Sequence, residues 1–535
     1  EIELSAPCVE PLSAAAEKGA EPTVLDTPRK VRVIPINPLL SEMDATAAKM
    51  KFYYPGDLEK DPSTYSFAAR LDGGKAVAVT LDGRCRGTVS FGAVTPGRHR
   101  LSVRLFDRAT REVVAGNEYP VEAKVPFAGD RGRALNNFVT ELKRVTVKDG
   151  EEVAFDNPRD GWVYIGFGDP KTRGEVFLDG AAEPVVTPRD HESCDTLRFL
   201  TAGRHVAKVG NGDGTLVIHA VKLNFMAAGG DLSEASTIDR YQYGLDFRRR
   251  YFFNRFARYD DFNWTRGSAE QRRWSGIYER HGAVYGGEAR LGADAANWGR
   301  PEKLLSVITN SAPYRDGLPV SLDESSPVAT RLNHATLADA AWMLADAVHP
   351  IGIWWNNRLR NVCSDPRGQA TELAAVANSG RGRGLLLPEV YVIAYPDKAR
   401  LQAQEDHFVN FLSSIREQVP AATGSFILAM GGYTMPKGWC AWIAPETDLK
   451  VLYDDFVHRI ATDPACRDIG GIGYTAIPSC DEEILRWFCR LVRHYAIDGR
   501  TDKLAPKFGF TYLTNTVRNN DFTEGNAWQY TWHVL

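Results

Sequence analysis

The sequence predicts a multidomain protein with two N-terminal β-sandwiches of the immunoglobulin-like type, a (β/α)8 TIM-type barrel and a short C-terminal β segment. Up to residue 228, apolar and polar residues alternate in short runs, which is typical of sandwich strands. Beyond that point, helical stretches alternate with short apolar runs, as in a parallel sheet built from βα units. The predicted domains are a flexible leader (1–27), two sandwiches (28–127 and 128–228), a barrel (229–503) and a C-terminal segment (504–535).

The bulk composition limits the classes of protein to consider. At 535 residues the chain is too long for one hydrophobic core. With 44% hydrophobic and 25% charged residues it is globular, and its net charge of −4 argues against nucleic acid as a partner. Its longest apolar runs fall far short of the roughly 20 residues that span a bilayer. The chain begins with Glu1, not Met, which suggests a mature or trimmed product with any signal peptide already removed.

The two sandwich regions share a phrase. Asp72-Gly-Gly, Asp82-Gly and Pro96-Gly mark turns between the strands of the first region. TPGRHRLSV, which begins at Thr95, is echoed in the second region by LTAGRHVAKV, which begins at Leu200. The echo predicts a second sandwich of related type, either a glycan-binding domain or a spacer packed on the barrel.

The barrel region supplies seven strand-like runs, each beside a helical stretch. Tyr259–Trp264 is taken as the first strand, and an eighth strand is sought in the Arg-rich segment 241–256. An open doubly wound sheet is the alternative fold. No glycine-rich fingerprint or Walker loop opens a helix, which disfavours nucleotide chemistry.

Acidic residues stand at three predicted strand ends. DGLPVSLDESS closes an apolar run with Asp323 and Glu324, while Glu288 lies in GGEARL and Glu389 in LLPEVYV. The carboxyl ends of barrel strands form the active-site face, and glycoside hydrolysis uses two carboxylates across the scissile bond. A lone acid after a strand is as often a helix cap or an ion-pair partner. Three such strand ends predict a catalytic site.

The predicted roles follow from chemistry. Glu324 is the general acid, because the like charge of Asp323 beside it raises its pKa. Glu389 is the nucleophile or base, and Asp323 and Glu288 tune the pair. The same strand ends carry aromatic rings and an amide suited to stacking on sugar faces and bonding hydroxyls, and we predict that these bind substrate: Trp354, Trp355, Asn357, Tyr391, Tyr433, Trp439 and Tyr474.

No cofactor and no metal is expected. The eight cysteines contain no C-x-x-C pair, so a zinc site is disfavoured, and one or two disulfides among Cys440, Cys466, Cys480 and Cys489 stay possible. The C-terminal stretch Lys507–Leu513 reads as a strand, and NNDFTEGNAW after it resembles the opening of jelly-roll carbohydrate-binding modules.

Residues 229–503 resemble the glycoside-hydrolase-like barrels of secreted bacterial polysaccharide-degrading proteins. The matching features are DGLPVSLDE, LLPEVYV, and IGGIGYTA followed by a terminal helix. The resemblance implies a secreted, periplasmic or cell-surface hydrolase acting on a poly- or oligosaccharide. The alternatives are a non-catalytic carbohydrate-binding surface protein with a degenerate barrel, and a polysaccharide lyase, which needs a Tyr/His or Lys/Arg base, a pattern that the strand ends do not advertise.

Overall fold

A computed structural model describes part of the chain. The described residues are 34–35, 42–53, 65–79, 86–111, 113–168, 174–187, 195–222, 226–228, 255–257, 284–290, 300–315, 320–323, 331–345, 347, 351–355, 366–390, 398–431, 449–475 and 482–511. They form two compact units. One comprises 1–126, 287–388 and 410–426, and the other comprises 127–286, 389–409 and 427–535.

The first sandwich has a three-stranded sheet, in the order β1-β3-β6, and a five-stranded sheet, in the order β2-β8-β7-β4-β5. Alternate residues of these strands are buried, as the sequence pattern predicts, and they include Met50, Phe52, Leu101 and Val103. The strands are β1 Ile34–Pro35, β2 Glu42–Asp44, β3 Ala48–Tyr53, β4 Tyr65–Leu71, β5 Val77–Val79, β6 Arg86–Gly92, β7 Gly97–Asp107 and β8 Val113–Lys124.

The second sandwich pairs a five-stranded sheet, β14-β12-β16-β10-β9, with a three-stranded sheet, β11-β15-β13. Its core includes Val163, Ile165 and Ile218. Trp162 alternates with Val163, so it faces the other side of the sheet, and it is buried there. The strands are β9 Arg133–Ala134, β10 Val139–Val147, β11 Glu152–Asn157, β12 Gly161–Phe167, β13 Glu175–Leu178, β14 Asp195–Leu200, β15 Gly203–Gly210 and β16 Gly214–Val221. No helix occurs among the described residues between 34 and 222.

Eight further strands pair in parallel, in chain order, and the eighth pairs with the first. The boundaries between the two units fall inside β19 and β22. In each of these two strands, the residues before the boundary pair with a strand of one unit, and the residues after it pair with a strand of the other unit. The strands are β17 Met226–Ala228, β18 Arg255–Ala257, β19 Val284–Arg290, β20 Val320–Asp323, β21 Ile351–Trp355, β22 Leu385–Val390, β23 Ile427–Gly431 and β24 Gly471–Thr475.

Helices follow β19 and each later strand. They are α1 Pro301–Asn310, α2 Ala312–Arg315, α3 Arg331–Met343, α4 Pro366–Gly382, α5 Lys398–Gln418, α6 Leu449–Thr462 and α7 Glu482–Leu491. A π-helix, Val492–Ile497, continues α7, and short 3-10 helices occupy Pro420–Ser425, Pro464–Cys466 and Ala505–Phe508. None of the described helices is both long enough and apolar enough to cross a membrane.

The structure supplies the eighth barrel strand, which the sequence analysis left unassigned. β17 begins three residues before the predicted boundary at 229, and β18 overlaps the end of the Arg-rich segment. Asp323 therefore ends the fourth strand of the closed order. The predicted strand Tyr259–Trp264 lies outside the described residues. Of the cysteines considered for disulfides, Cys466 and Cys489 are buried thiols.

The C-terminal β prediction is wrong where it can be checked, over residues 504–511. Phe508 and Phe510 suggested strand alternation, yet Ala505–Phe508 is a 3-10 helix. Gly509 follows it with φ 78°, in the left-handed region that favours glycine. The turn brings both phenylalanine rings edge-on to Trp487, with centroid distances of 5.4 and 5.2 Å. The spacing of the two phenylalanines is therefore explained by their packing against one indole ring, and not by pairing with another β-strand.

The shared TPGRH and TAGRH phrases form equivalent corners in the two sandwiches. His99 Nδ1 lies 2.6 Å from Asp72 Oδ2, and its Nε2 lies 2.7 Å from the carbonyl oxygen of Thr95. His205 repeats both contacts, at 2.7 Å to Asp179 and 3.0 Å to the carbonyl of Thr201. A carboxylate and a carbonyl only accept, so both ring nitrogens donate when the imidazole is protonated.

These contacts raise the pKa of both histidines. For His99 the largest cause is the hydrogen bond with Asp72. For His205 burial is the largest single cause and lowers the pKa, but the hydrogen bonds with Asp179 and Thr201 and the charge of Asp179 together outweigh it. A histidine pKa raised by folding stabilises the protein fully below the unfolded value of about 6.5, and that stability is lost as pH rises through the folded pKa.

We therefore expect the free energy of unfolding to fall as pH rises above about 6.5. The double variant His99→Gln, His205→Gln is expected to flatten this slope in urea unfolding followed at several pH values. His458→Gln is the control, because burial lowers the pKa of His458 and its own contribution lies at lower pH. A slope in the double variant as steep as in the parent would contradict the assignment.

Candidate functional site at the barrel strand ends

The structure describes three of the four predicted catalytic acids, each near the carboxyl end of a parallel strand. Asp323 is the last residue of β20, Glu389 is the next-to-last residue of β22, and Glu288 lies two residues before the end of β19. Because all eight strands run parallel, their carboxyl ends point in the same direction along the sheet.

Strand register relates these acids to one another. Glu288 is in register with Ser321, which lies two residues before Asp323. Because residues in register share a face and residues two apart along a strand share it too, Glu288 and Asp323 occupy one face. Asp323 and Trp354 are related in the same way, because Leu322, the residue before Asp323, is in register with Ile353, the residue before Trp354.

Two predicted substrate-binding aromatic residues are on the opposite register face. Trp355 is in register with Pro388, which neighbours Glu389 along β22. Tyr474 is in register with Met430, which is itself in register with Val390. Register thus separates Trp355 from Trp354 and Asp323, and it separates Tyr474 from Glu389, a distinction that adjacency in the sequence did not supply.

The other predicted site residues stay predictions. They lie outside the described part of the chain: Glu324, Asn357, Tyr391, Tyr433 and Trp439. Within the described ranges, no group of three or more His, Cys, Asp or Glu side chains is arranged to hold a metal ion.

The start of β22, the strand that carries Glu389, is fixed by a tight turn after α4. Helical backbone angles end at Asn378, and Ser379 Oγ donates to the carbonyl of Val376 at 2.7 Å. The N–H of Gly384 then donates to the carbonyl of Ala377 at 3.2 Å. Gly384 is held so close that an added Cβ would lie 1.7 Å from the carbonyl oxygen of Val376. Only glycine fits this approach without moving the backbone.

Gly384→Ala is accordingly expected to destabilise the protein by about 2 kcal/mol or more, because the clash is with backbone and cannot be relieved by a rotamer change. Chemical denaturation measures the loss. Gly161→Ala is the matched control, since a Cβ there meets only Arg159 at an ordinary 3.8 Å. If the two variants were equally stable, the backbone of the turn would be able to move aside for the added methyl group without loss of stability, and the prediction would be wrong.

A carboxyl group with a raised pKa lies on the helices, away from the strand ends. Burial and the neighbouring charge of Asp455 raise the pKa of Glu405, on α5, to about 7. Asp455, on α6, is 2.6 Å from Lys503 Nζ. Raised carboxyl pKa values often mark catalytic sites, but structural charge clusters also produce them. The sequence reading missed Glu405, because an acid on an amphipathic helix gives no sign of its burial.

No family model and no curated protein matches the chain. Among solved structures, it is similar to a GH2 β-galacturonidase from Eisenbergiella tayi, at 10% identity over 91% of this chain and 89% of that one, with a TM-score of 0.33. It is similar to a calcium-binding mutant of β-glucuronidase 2 from Bacteroides uniformis, at 9% identity and a TM-score of 0.30. That match covers 85% of this chain but 47% of the other, so this chain spans about half of that protein's length.

A third similar structure is a family 39 glycoside hydrolase from the gut symbiont Bacteroides cellulosilyticus WH2. The identity is 8% over 83% of this chain and 75% of that one, with a TM-score of 0.28. All three are named as glycoside hydrolases. The likeness is remote, and the chemistry considered for this chain comes from its own residues.

Proposed function

We propose that the protein is a glycoside hydrolase that cleaves a poly- or oligosaccharide with carboxylates at the carboxyl ends of its barrel strands. One observation supports this most: Glu288 and Asp323 stand near the ends of two paired parallel strands and share a register face, and Glu389 stands near the end of another barrel strand. A glycosidic bond is cleaved between two carboxyl groups, which need not be close in sequence. Parallel barrel strands can carry two such groups at the same end of the barrel.

The proposed roles divide two tasks between two glutamates. Glu324 holds a proton for the leaving oxygen, and the neighbouring charge of Asp323 helps it to keep that proton. Glu389 acts as nucleophile or base. A carboxyl separation of about 5 Å would give retention of configuration, and one of about 6.5–9.5 Å inversion. Trp354 stacks on the sugar, joined by the other predicted aromatic residues and by Asn357.

The architecture belongs to the same proposal. Eight parallel strands, with helices after β19 to β24, support a (β/α)8 barrel over about 229–503 in a protein with two preceding sandwiches. Secretion from a bacterium that degrades polysaccharide follows from the barrel resemblance of the sequence and is proposed with it.

The decisive experiment is incubation with a panel of plant, algal and host glycans, read out as released reducing sugar. Release by the parent that is lost in Glu324→Gln supports hydrolysis. Binding without release, unchanged in that variant, would instead identify a carbohydrate-binding protein. Unsaturated products that absorb in the ultraviolet would identify a lyase.

A further inference from the structure

A polar cavity of about 870 Å³ lies on the outer face of the five-stranded sheet of the second sandwich. Val163, Ile165 and Ile218 face the sandwich core, so their strand neighbours Tyr164 and His219 face the opposite way. The end of the last barrel helix, from Arg493 to Arg500, forms the other wall, and all of these residues belong to one compact unit. A cavity of this volume accommodates one or two sugar rings.

The wall made by the helix is held to the sheet by a charged network. Arg493 reaches Asp195 Oδ2 at 2.6 Å, donates to the Tyr164 hydroxyl at 3.0 Å, and contacts Asp498 at 3.1 Å. Nearby, Asn136 Nδ2 donates to the carbonyls of Tyr495 and Arg500 at 2.8 and 2.9 Å. The cavity is therefore built from fixed parts and needs no rearrangement to form.

The charges around the cavity are unequal. Glu141 is hydrogen-bonded by Arg133 and Arg144, each at 2.7 Å; burial opposes its ionisation, but these two bonds lower its pKa to about 2. With Arg493 and Arg500, four guanidinium groups line the cavity against the carboxylates of Glu141, Asp195 and Asp498. One positive charge is in excess, and the exposed Arg500 stands at the rim.

His219 supplies a buried acceptor. Its side chain is 1% exposed, and its Nδ1 donates to the carbonyl of Ile497 at 2.6 Å. Its Nε2 has no hydrogen-bond partner among the described residues, and the nearest carboxylate oxygen, Glu141 Oε2, is 3.7 Å away. Burial lowers the pKa of His219, so the ring is neutral and Nε2 carries a lone pair. A buried acceptor of this kind requires an O–H or N–H donor.

We propose that this cavity binds a sugar unit bearing a carboxylate, a hydroxyl of which donates to His219 Nε2 while the carboxylate pairs with Arg500. A sulfate ion carries the charge but has no proton to donate, and a neutral sugar leaves the excess guanidinium without a counter-charge. A uronate provides both groups on one ring. The site is separate from the barrel strand ends and requires no catalysis there.

The test uses the full chain, titrated calorimetrically with glucuronate, glucose and sulfate. Glucuronate and glucose differ only at one ring substituent, so their comparison isolates the carboxylate. We expect glucuronate to bind at least about tenfold more tightly than glucose, and Arg500→Ala to weaken glucuronate binding by about tenfold or more. Thr215→Trp, at an exposed lining position, is expected to block the cavity. Arg204→Ala, an exposed arginine on the opposite sheet, is the matched control.

The inference is overturned if glucuronate shows no saturable binding, if Arg500→Ala and Arg204→Ala bind it alike, or if sulfate binds as tightly as glucuronate. Thermal unfolding of each variant shows whether the fold is kept, and Thr215→Trp gives a second route to the answer if Arg500→Ala does not fold. Release of reducing sugar from short soluble substrates, where the parent shows it, is expected to be unchanged in Arg500→Ala. A failure of the hydrolase proposal therefore leaves this binding test intact.

Discussion

Glu324→Gln and Glu389→Gln are each expected to slow glycoside hydrolysis by about 10²-fold or more, within the range for loss of acid–base catalysis. The amide has nearly the shape of the carboxyl group but neither holds a catalytic proton nor attacks as an anion. Loss of the rate with an unchanged melting temperature distinguishes lost chemistry from lost structure. The measurement is initial rate on whichever glycan the parent cleaves, together with thermal unfolding of each variant.

Glu152→Gln is the matched control, an exposed glutamate on β11 of the second sandwich. It is expected to keep the full rate. If Glu324→Gln and Glu389→Gln both retain near-normal activity on a substrate that the parent cleaves, the assignment of roles is wrong. Glu288 and Asp323, which share a register face, are then the next pair to replace.

Asp454→Ala is expected to cost about 3 kcal/mol or more of stability. Asp454 is fully buried on α6 and accepts from the Tyr495 hydroxyl at 2.6 Å and from the backbone N–H groups of Leu504 and Ala505 at 3.1 and 2.8 Å. Its removal leaves three buried donors, and an unsatisfied buried donor costs about 1–3 kcal/mol. This single side chain joins α6 to the π-helix and to the segment that ends the described chain.

Tyr495→Phe is the graded comparison, because it removes one of the three bonds and leaves the two backbone donors in place. Its expected cost is about 1 kcal/mol. Urea denaturation of the three proteins checks the order, with the parent most stable and Asp454→Ala least. If Asp454→Ala were no less stable than Tyr495→Phe, the two backbone N–H groups would have found other partners, and the carboxylate would not be their anchor.

The sequence predicted secondary structure correctly where apolar residues recur with a regular period over many residues. α1, α5 and α6 form within the region where helical stretches were predicted, because apolar residues at helical spacing recur there over several turns. The sandwich strands show the alternating burial that their sequences predict. The placement of Asp323 and Glu389 near strand ends was also predicted, since an apolar run followed by acids and turn residues defines where a buried strand stops.

Short elements escaped the sequence reading for a physical reason. β17 and β18 are three residues each, too short for any periodicity, and their pairing partners alone make them strands. Phe508 and Phe510 led to a wrong strand prediction. Two aromatic residues two positions apart are typical of a strand, but here the same spacing places both rings against Trp487. Which of Trp354 and Trp355 shares a face with the acids depends on register, which pairing between distant segments sets.

By itself the sequence determined the succession of sandwiches and βα units, the acids at the strand ends and the repeated TPGRH and TAGRH phrases, because each depends on residues near one another along the chain. Only the tertiary structure decided the order of pairing, the register faces and the cavity beside His219. That histidine lies 278 residues from Ile497, its hydrogen-bond partner. Nothing in an alternating strand shows that one of its outward-facing residues is buried by a segment so distant along the chain. Burial and charge pairing across such separations come from packing, which local pattern does not encode.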